Sequence, residues 1–192
     1  FAAFGSQYRG NCGGTGREEF GGRDVYDVIH LIDLALGLPC VKKPQLYMLG
    51  HSRGGMMTYR ACAIDNRIRA AAICSGLADV FIMYDRFHDG EYDMHQDCIE
   101  LIGGTPEELP EEYKKRSAVC WAEKIIPPVL ICQGTADWRV IPEQAYKMDR
   151  ALTAAGKEHK LIVYEGADLK NKYDYMPMNR ASYKQNTERI KP

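Results

Sequence analysis

The chain has 192 residues, 45% hydrophobic and 27% charged, with 25 lysines and arginines against 26 acidic residues and a net charge of −1. That is one domain's worth of chain with an ordinary globular composition, and its charge balance gives no electrostatic basis for a nucleic acid or an anionic membrane as partner. No apolar run approaches the roughly 18 residues that would cross a bilayer, and the opening FAAFGSQYRG has neither the basic start of a signal peptide nor an initiating Met.

The elements alternate in chain order. FAAFG (1–5) reads as a buried strand running into the glycine-rich RGNCGGTGREEFGG (9–22). Those glycines lack both Gly-Lys-Ser/Thr and a GxGxxG in frame after the strand, so they predict a loop with several positive φ angles rather than a phosphate cradle. RDVYDVIHLIDLALG (23–37) sets Val25, Val28, Ile29 and Ile32 at helical spacing, with Gly37 as its stop. QLYML (45–49) is a short apolar strand, and Met56, Tyr59, Arg60, Ala63 and Ile64 carry a helical period through residues 53–65. RAAAICSG (69–76) is a buried strand, and PVLICQG (128–134) and KLIVYEG (160–166) repeat its pattern. Between those two lies a helix begun by Pro142, striped by Ala145, Met148, Leu152 and Ala155 and stopped by Gly156. Apolar strands separated by helices predict one α/β domain over residues 1–192, with a mostly parallel sheet, helices on both faces and right-handed crossovers.

Residues 80–124 break this rhythm. Polar, aromatic and charged, they are expected to form an insertion over the C-terminal edge of the sheet, where ligands bind in open α/β folds. Thr105-Pro106-Glu107-Glu108 has the spacing of a capping box opening a surface helix, and Lys114-Lys115-Arg116 reads as part of a solvated helix face.

Seven cysteines (Cys12, Cys40, Cys62, Cys74, Cys98, Cys120 and Cys132) are an odd number without CxxC spacing, several of them inside apolar runs. They predict free thiols in a reducing, cytoplasmic setting rather than a disulfide framework or a zinc site.

The chemistry concentrates at LGHSRGG (49–55). Gly50-x-Ser52-x-Gly54 follows a strand and precedes a helix, the setting of a nucleophile elbow, in which small neighbours let a strained turn form and the serine Oγ projects above the sheet. The backbone N–H of Arg53, at the helix N-terminus, is the candidate oxyanion donor. Such a serine needs an acid and then a histidine, each in a loop after a later strand. Asp137, just past PVLIC, is the candidate acid, although Asp is also an ordinary turn residue there.

Four stretches, YRGNCGGTG (8–16), GHSRGG (50–55), PPVLICQGTADWRVIPEQA (127–145) and LIVYEGAD (161–168), together resemble the catalytic domain of the prolyl oligopeptidase family, within the α/β-hydrolase superfamily. The resemblance runs over nearly the whole chain and is weakest in residues 80–120 and after 170. It implies an α/β-hydrolase fold and a serine hydrolase acting on peptides or esters without metal or cofactor, with Ser52 as nucleophile and Asp137 orienting a histidine. The family's histidine belongs in a pattern close to Gly-x-x-His-Gly, and here Leu169 stands in its place, with no histidine after His159. None of the five histidines is a good base. His51 adjoins the serine and points elsewhere, His159 begins a strand at the wrong end of the sheet, His30 is on a helix, and His88 and His95 are in the insertion. The chain also begins at the family's YRG strand, without the earlier strands or the second oxyanion donor that one of their loops supplies. Two explanations cover both departures: a sequence that is part of a larger enzyme, or a degenerate relative.

If active, the chain is expected to form an acyl-enzyme on Ser52, with Phe81, Tyr84, Phe87 and Tyr92 either lining the acyl pocket or forming a satellite cluster. The rival expectation is a catalytically impaired α/β-hydrolase-like binding or scaffold protein. The residues do not decide between peptide and ester substrates, nor do they give the oligomeric state.

Overall fold

The computed structural model describes residues 2–41, 45–86 and 94–167. Among these residues one parallel sheet contains β1 (Tyr47–His51), β2 (Ala70–Cys74), β3 (Val129–Gly134) and β4 (His159–Tyr164), hydrogen-bonded in the order β1-β2-β3-β4. Gly50 lies opposite Ile73, Ile73 opposite Ile131 and Ile131 opposite Leu161, so the carboxyl ends of the strands share one edge. The helices are α1 (Val25–Gly37), α2 (Arg53–Ile64), α3 (Val80–Arg86), α4 (Met94–Ile102), α5 (Pro110–Arg116) and α6 (Pro142–Ala154).

Strand order equals chain order, and this decides where the helices go. Right-handed crossovers between parallel neighbours stay on one face for as long as the sheet grows in one direction. From β1 to β4 it never reverses. Val25 and Ile32 of α1, Met57 and Tyr59 of α2, and Met148 and Leu152 of α6 therefore share a single core with Ala71, Ile73, Val129 and Ile131 of the sheet. Strand alternation sends Cys74, Cys132 and Tyr164 to the other face, where they pack with Leu130 and Ile162. On that face Tyr47 and Leu49 are 60% and 62% exposed. Among the described residues the helices that pack on the sheet do so from one side, a consequence of strand order that the sequence does not display.

Residues 2–5 are not a strand. They are exposed and pair with no strand among the described residues, so apolar composition by itself did not make a strand. The glycine-rich loop has positive φ at Gly10, Gly13, Gly16 and Gly21, as its composition requires. It is fastened to α1 by Arg9, whose main-chain N–H and guanidinium donate to the Asp27 carboxylate at 2.7–3.2 Å.

The insertion builds its own cluster. Val80, Met83, Tyr84, Cys98, Ile102 and Tyr113 close on Phe20, on Met56 of α2 and on Val140 of the loop after β3, which seats the insertion at the carboxyl edge of the sheet. The reciprocal bonds of the capping box exist, Thr105 N–H to Glu108 Oε2 at 2.9 Å and Glu108 N–H to Thr105 Oγ1 at 3.3 Å, but they close a turn. The helix starts later, at Pro110, which is the better first-turn residue because it has no N–H to satisfy. Lys114 and Lys115 are solvated as expected, whereas Arg116 is 3% exposed and turned inward.

Hydrogen bonds from Arg9 hold the Asp27 carboxyl below its ordinary range. Its contribution to stability is therefore complete above pH about 4 and is lost as pH falls through the lower folded-state value. Asp27→Asn is expected to lower stability near neutral pH by about 1 kcal/mol and to flatten the acid side of the urea-unfolding pH profile. An acid limb identical to that of the parent chain would refute this.

Candidate active site

Between the end of β1 and the start of α2 a single residue, Ser52, turns the chain. It does so at φ 51° and ψ −120°, a conformation that costs a residue with a Cβ of the order of 1–3 kcal/mol. The surroundings enforce it. The Ser52 N–H donates to the Cys74 carbonyl at the end of β2 (3.1 Å), and the Ser52 carbonyl accepts from Gly55 (2.9 Å), Leu77 (3.3 Å) and Met56 (3.4 Å).

The glycines let this happen by close approach. A Cβ on Gly50 would stand 2.2 Å from the Gly54 carbonyl oxygen and 2.3 Å from Thr58 Oγ1, and one on Gly55 would stand 2.6 Å from Gly76 Cα. By contrast, a Cβ on Gly54 would meet nothing within 4 Å. The requirement for small residues around the serine is met at Gly50 and falls on Gly55 rather than on Gly54. Arg53 and Gly54 occupy the first two helical positions, where an N–H has no carbonyl behind it in the helix.

The side chain of Arg53 was not anticipated as an anchor. Its Nη2 donates to Asp24 Oδ2 at 2.9 Å and its Nη1 to Glu18 Oε1, while the guanidinium lies 4.7 Å from the Tyr8 ring centre and 5.3 Å from that of Phe20. Asp24 is fully buried, and its Oδ2 also accepts from the Gly21 N–H at 3.2 Å. Burial pushes the Asp24 carboxyl up and the Arg53 guanidinium down from their ordinary values. The glycine-rich loop is thereby folded onto the residue that follows the serine. Glu18, Asp24 and Tyr8 gave no sign of this in the sequence, because the pairing spans about thirty positions with no spacing rule.

Asp137 lies in the loop after β3 and is 2% exposed. Its Oδ1 accepts from the N–H groups of Val140 (2.9 Å) and Arg139 (3.0 Å), the pattern of a turn-forming Asp, so one carboxylate oxygen shapes the loop. Buried Gln133, also overlooked in the sequence, braces the loop through Nε2 to the Val140 carbonyl at 2.8 Å. Ser52 and Asp137 leave the same sheet edge two strands apart, about 10 Å at ordinary strand spacing. The loop after β4 is laced to the acid loop by Ala136 N–H to the Ala167 carbonyl (3.0 Å), Thr135 N–H to the Tyr164 carbonyl (3.0 Å) and Gly166 N–H to Thr135 Oγ1 (2.9 Å). Ala167 thus sits against the neighbour of Asp137. Leu169 lies outside the described residues.

The histidines are dispersed. His159 begins β4 at the opposite end of the sheet, with Nε2 3.2 Å from Asp149 and Nδ1 2.8 Å from the Lys157 carbonyl. His95 stacks on Tyr84 with ring centres 4.0 Å apart, and His30 lies on α1. His51 shares the strand face of Tyr47 and Leu49 by alternation, and its burial lowers its pKa. His88 lies outside the described residues, as do Phe87 and Tyr92. Phe81 and Tyr84 pack on Tyr113, with ring centres 5.5 and 5.7 Å apart, in the satellite cluster.

A strand-to-helix serine, a buried aspartate two strands away and a loop after β4 laced to the neighbours of that aspartate are an arrangement with relatives. The model of the prolyl oligopeptidase family matches residues 4–173. The chain belongs to that family. It is 35% identical over 154 residues to the uncharacterized peptidase YtmA of Bacillus subtilis (strain 168), covering 79% of this chain and 58% of that protein. It is 29% identical over 161 residues to the uncharacterized peptidase YuxL of the same organism, covering 79% of this chain and 22% of YuxL. Among solved structures, a Mycobacterium tuberculosis puromycin-hydrolyzing peptidase superposes with a TM-score of 0.72 at 28% identity, over 79% of this chain and 22% of that one. A Pyrococcus horikoshii acylaminoacyl peptidase superposes with a TM-score of 0.71 at 20% identity, over 88% and 26%. The fold is that of the α/β-hydrolases, and the chain spans little more than half of the first relative and about a fifth of the second.

Crowding at the elbow yields a paired prediction. Gly50→Ala forces a methyl into backbone and is expected to cost more than 2 kcal/mol in urea unfolding, whereas Gly54→Ala should change stability by less than about 0.5 kcal/mol. Equal effects at both positions would contradict the geometry.

Proposed function

We propose that the chain carries the nucleophile and acid of a serine hydrolase that cleaves peptide bonds, with esters as the alternative substrates. The observation that carries this reading is Ser52, the one residue between β1 and α2, held at positive φ where Gly50 and Gly55 let the backbone approach closely. In this mechanism Ser52 Oγ attacks the substrate carbonyl, and the oxyanion that develops accepts from the Arg53 N–H at the start of α2. Asp137, buried in a loop anchored to the strand next to β4, orients the group that takes the serine proton and stabilises its positive charge. Family membership and similarity to proteins named as peptidases support peptide substrates. The free thiols Cys62, Cys74, Cys98 and Cys132 are buried, in keeping with a reducing, cytoplasmic setting, and no helix among the described residues is long and apolar enough to cross a membrane.

A second reading rests on one position. Where the family's pattern calls for histidine the sequence has Leu169, and no histidine follows His159. Loss of a general base removes roughly 10²–10⁴ in rate, and the same elbow would then serve binding rather than turnover.

A fluorophosphonate probe separates the two. The hydrolase reading expects labelling at Ser52 that Ser52→Ala abolishes, whereas a folded chain that does not label is the binding protein. Leu169→His is expected to raise ester or peptide hydrolysis by about 10²-fold or more if the missing base is the only defect. No gain, in a variant whose unfolding midpoint is unchanged, would show that the site lacks more than its base.

A further inference from the structure

A second concave site lies on the flank of α2. It is a cleft of about 420 Å³ in which Arg23, Arg60, Lys115 and Arg116 face only two carboxylates, those of Glu19 and Glu112. The pairing is uneven. Arg23 pairs with Glu19 at 2.6 Å, and Lys115 and Arg116 both pair with Glu112, at 2.5 and 2.7 Å. Arg116 gives its Nε and Nη2 to the carbonyls of Glu19 and Phe20 at 2.9–3.1 Å, so this buried cation is fully engaged.

Arg60 is not. It has no ion-pair partner among the described residues, its Nη1 donates to the Lys115 carbonyl, and its Nε is buried without a hydrogen-bond partner. Its surroundings oppose its charge, since burial and the neighbouring Arg116 guanidinium both push its pKa down. A guanidinium does not give up its proton in a protein, so the charge stays and calls for an anion. With Nη1 engaged and Nε buried, what Arg60 brings to the cleft it lines is its undissipated charge and the N–H groups of Nη2, which meet an oxygen of a phosphate or carboxylate. The Tyr26 hydroxyl, on the half-exposed rim, and the Lys115 ammonium supply further donors.

We propose that this cleft is a binding site for a compact oxyanion, with Arg60 as its principal ligand and phosphate as the simplest occupant. It is separate from the hydrolytic site, because Arg60 lies seven residues beyond Arg53, about 10 Å along the helix. The anion comes either from free phosphate or from a phosphoryl group on a peptide, and both present the same oxygens.

The test is calorimetric titration of the full chain with inorganic phosphate at fixed ionic strength, with chloride as the control. One saturable site is expected, weakened at least tenfold by Arg60→Gln and to a lesser degree by Arg60→Lys, which keeps the charge and loses the guanidinium N–H groups. Competition by a phosphoserine peptide tighter than by free phosphate would identify the peptide source, and the reverse would identify the free ion; either outcome supports the site. Absence of saturable phosphate binding, or affinity unchanged in Arg60→Gln, overturns the proposal. Should Arg60→Gln fail to fold, full affinity in Arg60→Lys overturns it instead. Labelling of Ser52 is expected to be the same in all these variants, so a failure here is distinguishable from a failure of the hydrolase reading.

Discussion

A serine can be kept at φ 51° only if what surrounds it leaves no room to relax, and the rest of this fold follows from that confinement. Gly50, Gly55 and Gly76 bring β1, α2 and the turn after β2 to within backbone contact of one another. Once α2 lies that close to the sheet, Met57, Tyr59 and Cys62 have one place to go, the face shared with Ile73 and Ile131. The cost of the left-handed residue is met by four backbone hydrogen bonds to Ser52 and by the apolar area that α2 buries.

Arg53 ties this turn to the loop before α1. Its guanidinium sits between two aromatic rings and two carboxylates, one of them fully buried. A pair placed so deep gives little net stability against an apolar replacement, but removal of either partner strands the other without water. Its effect is mainly geometric. Residues 8–24 cannot drift from α2 without exposing Asp24 and Phe20, so the glycine-rich loop, permissive at Gly10 and Gly21, is confined to one arrangement by a side chain outside it.

Much of this was legible in the sequence. The strands that contain Met48, Ile73, Ile131 and Leu161 and the helices starting at Arg53 and Pro142 stand where the apolar runs and Pro142 place them. Ser52 and Asp137 lie at the predicted carboxyl edge. Other features depended on what sequence pattern does not carry. Residues 2–5 of the apolar FAAFG pair with no strand among the described residues, and Thr105 to Glu108 satisfies the capping-box rule while closing a turn. Arg116, in a run that reads as solvated, turns inward because carbonyls of the glycine-rich loop, nearly a hundred residues away, wait to accept its protons. Pairings of that range have no period, and only the folded chain displays them.

Strand order that copies chain order also has a kinetic side. When each described strand leaves the ribosome its sheet neighbour has already been synthesised, so none of the four has to insert between two earlier ones. The backbone anchor of the elbow, the Cys74 carbonyl, lies at the end of β2, whereas the loop of Asp137 takes its last tethers from residues that follow β4. A nascent chain thus carries the anchors of the serine turn before the last tethers of the Asp137 loop have been made. A ribosome paused between β3 and β4 would hold a chain with every anchor of the serine turn and none of the late tethers of the Asp137 loop.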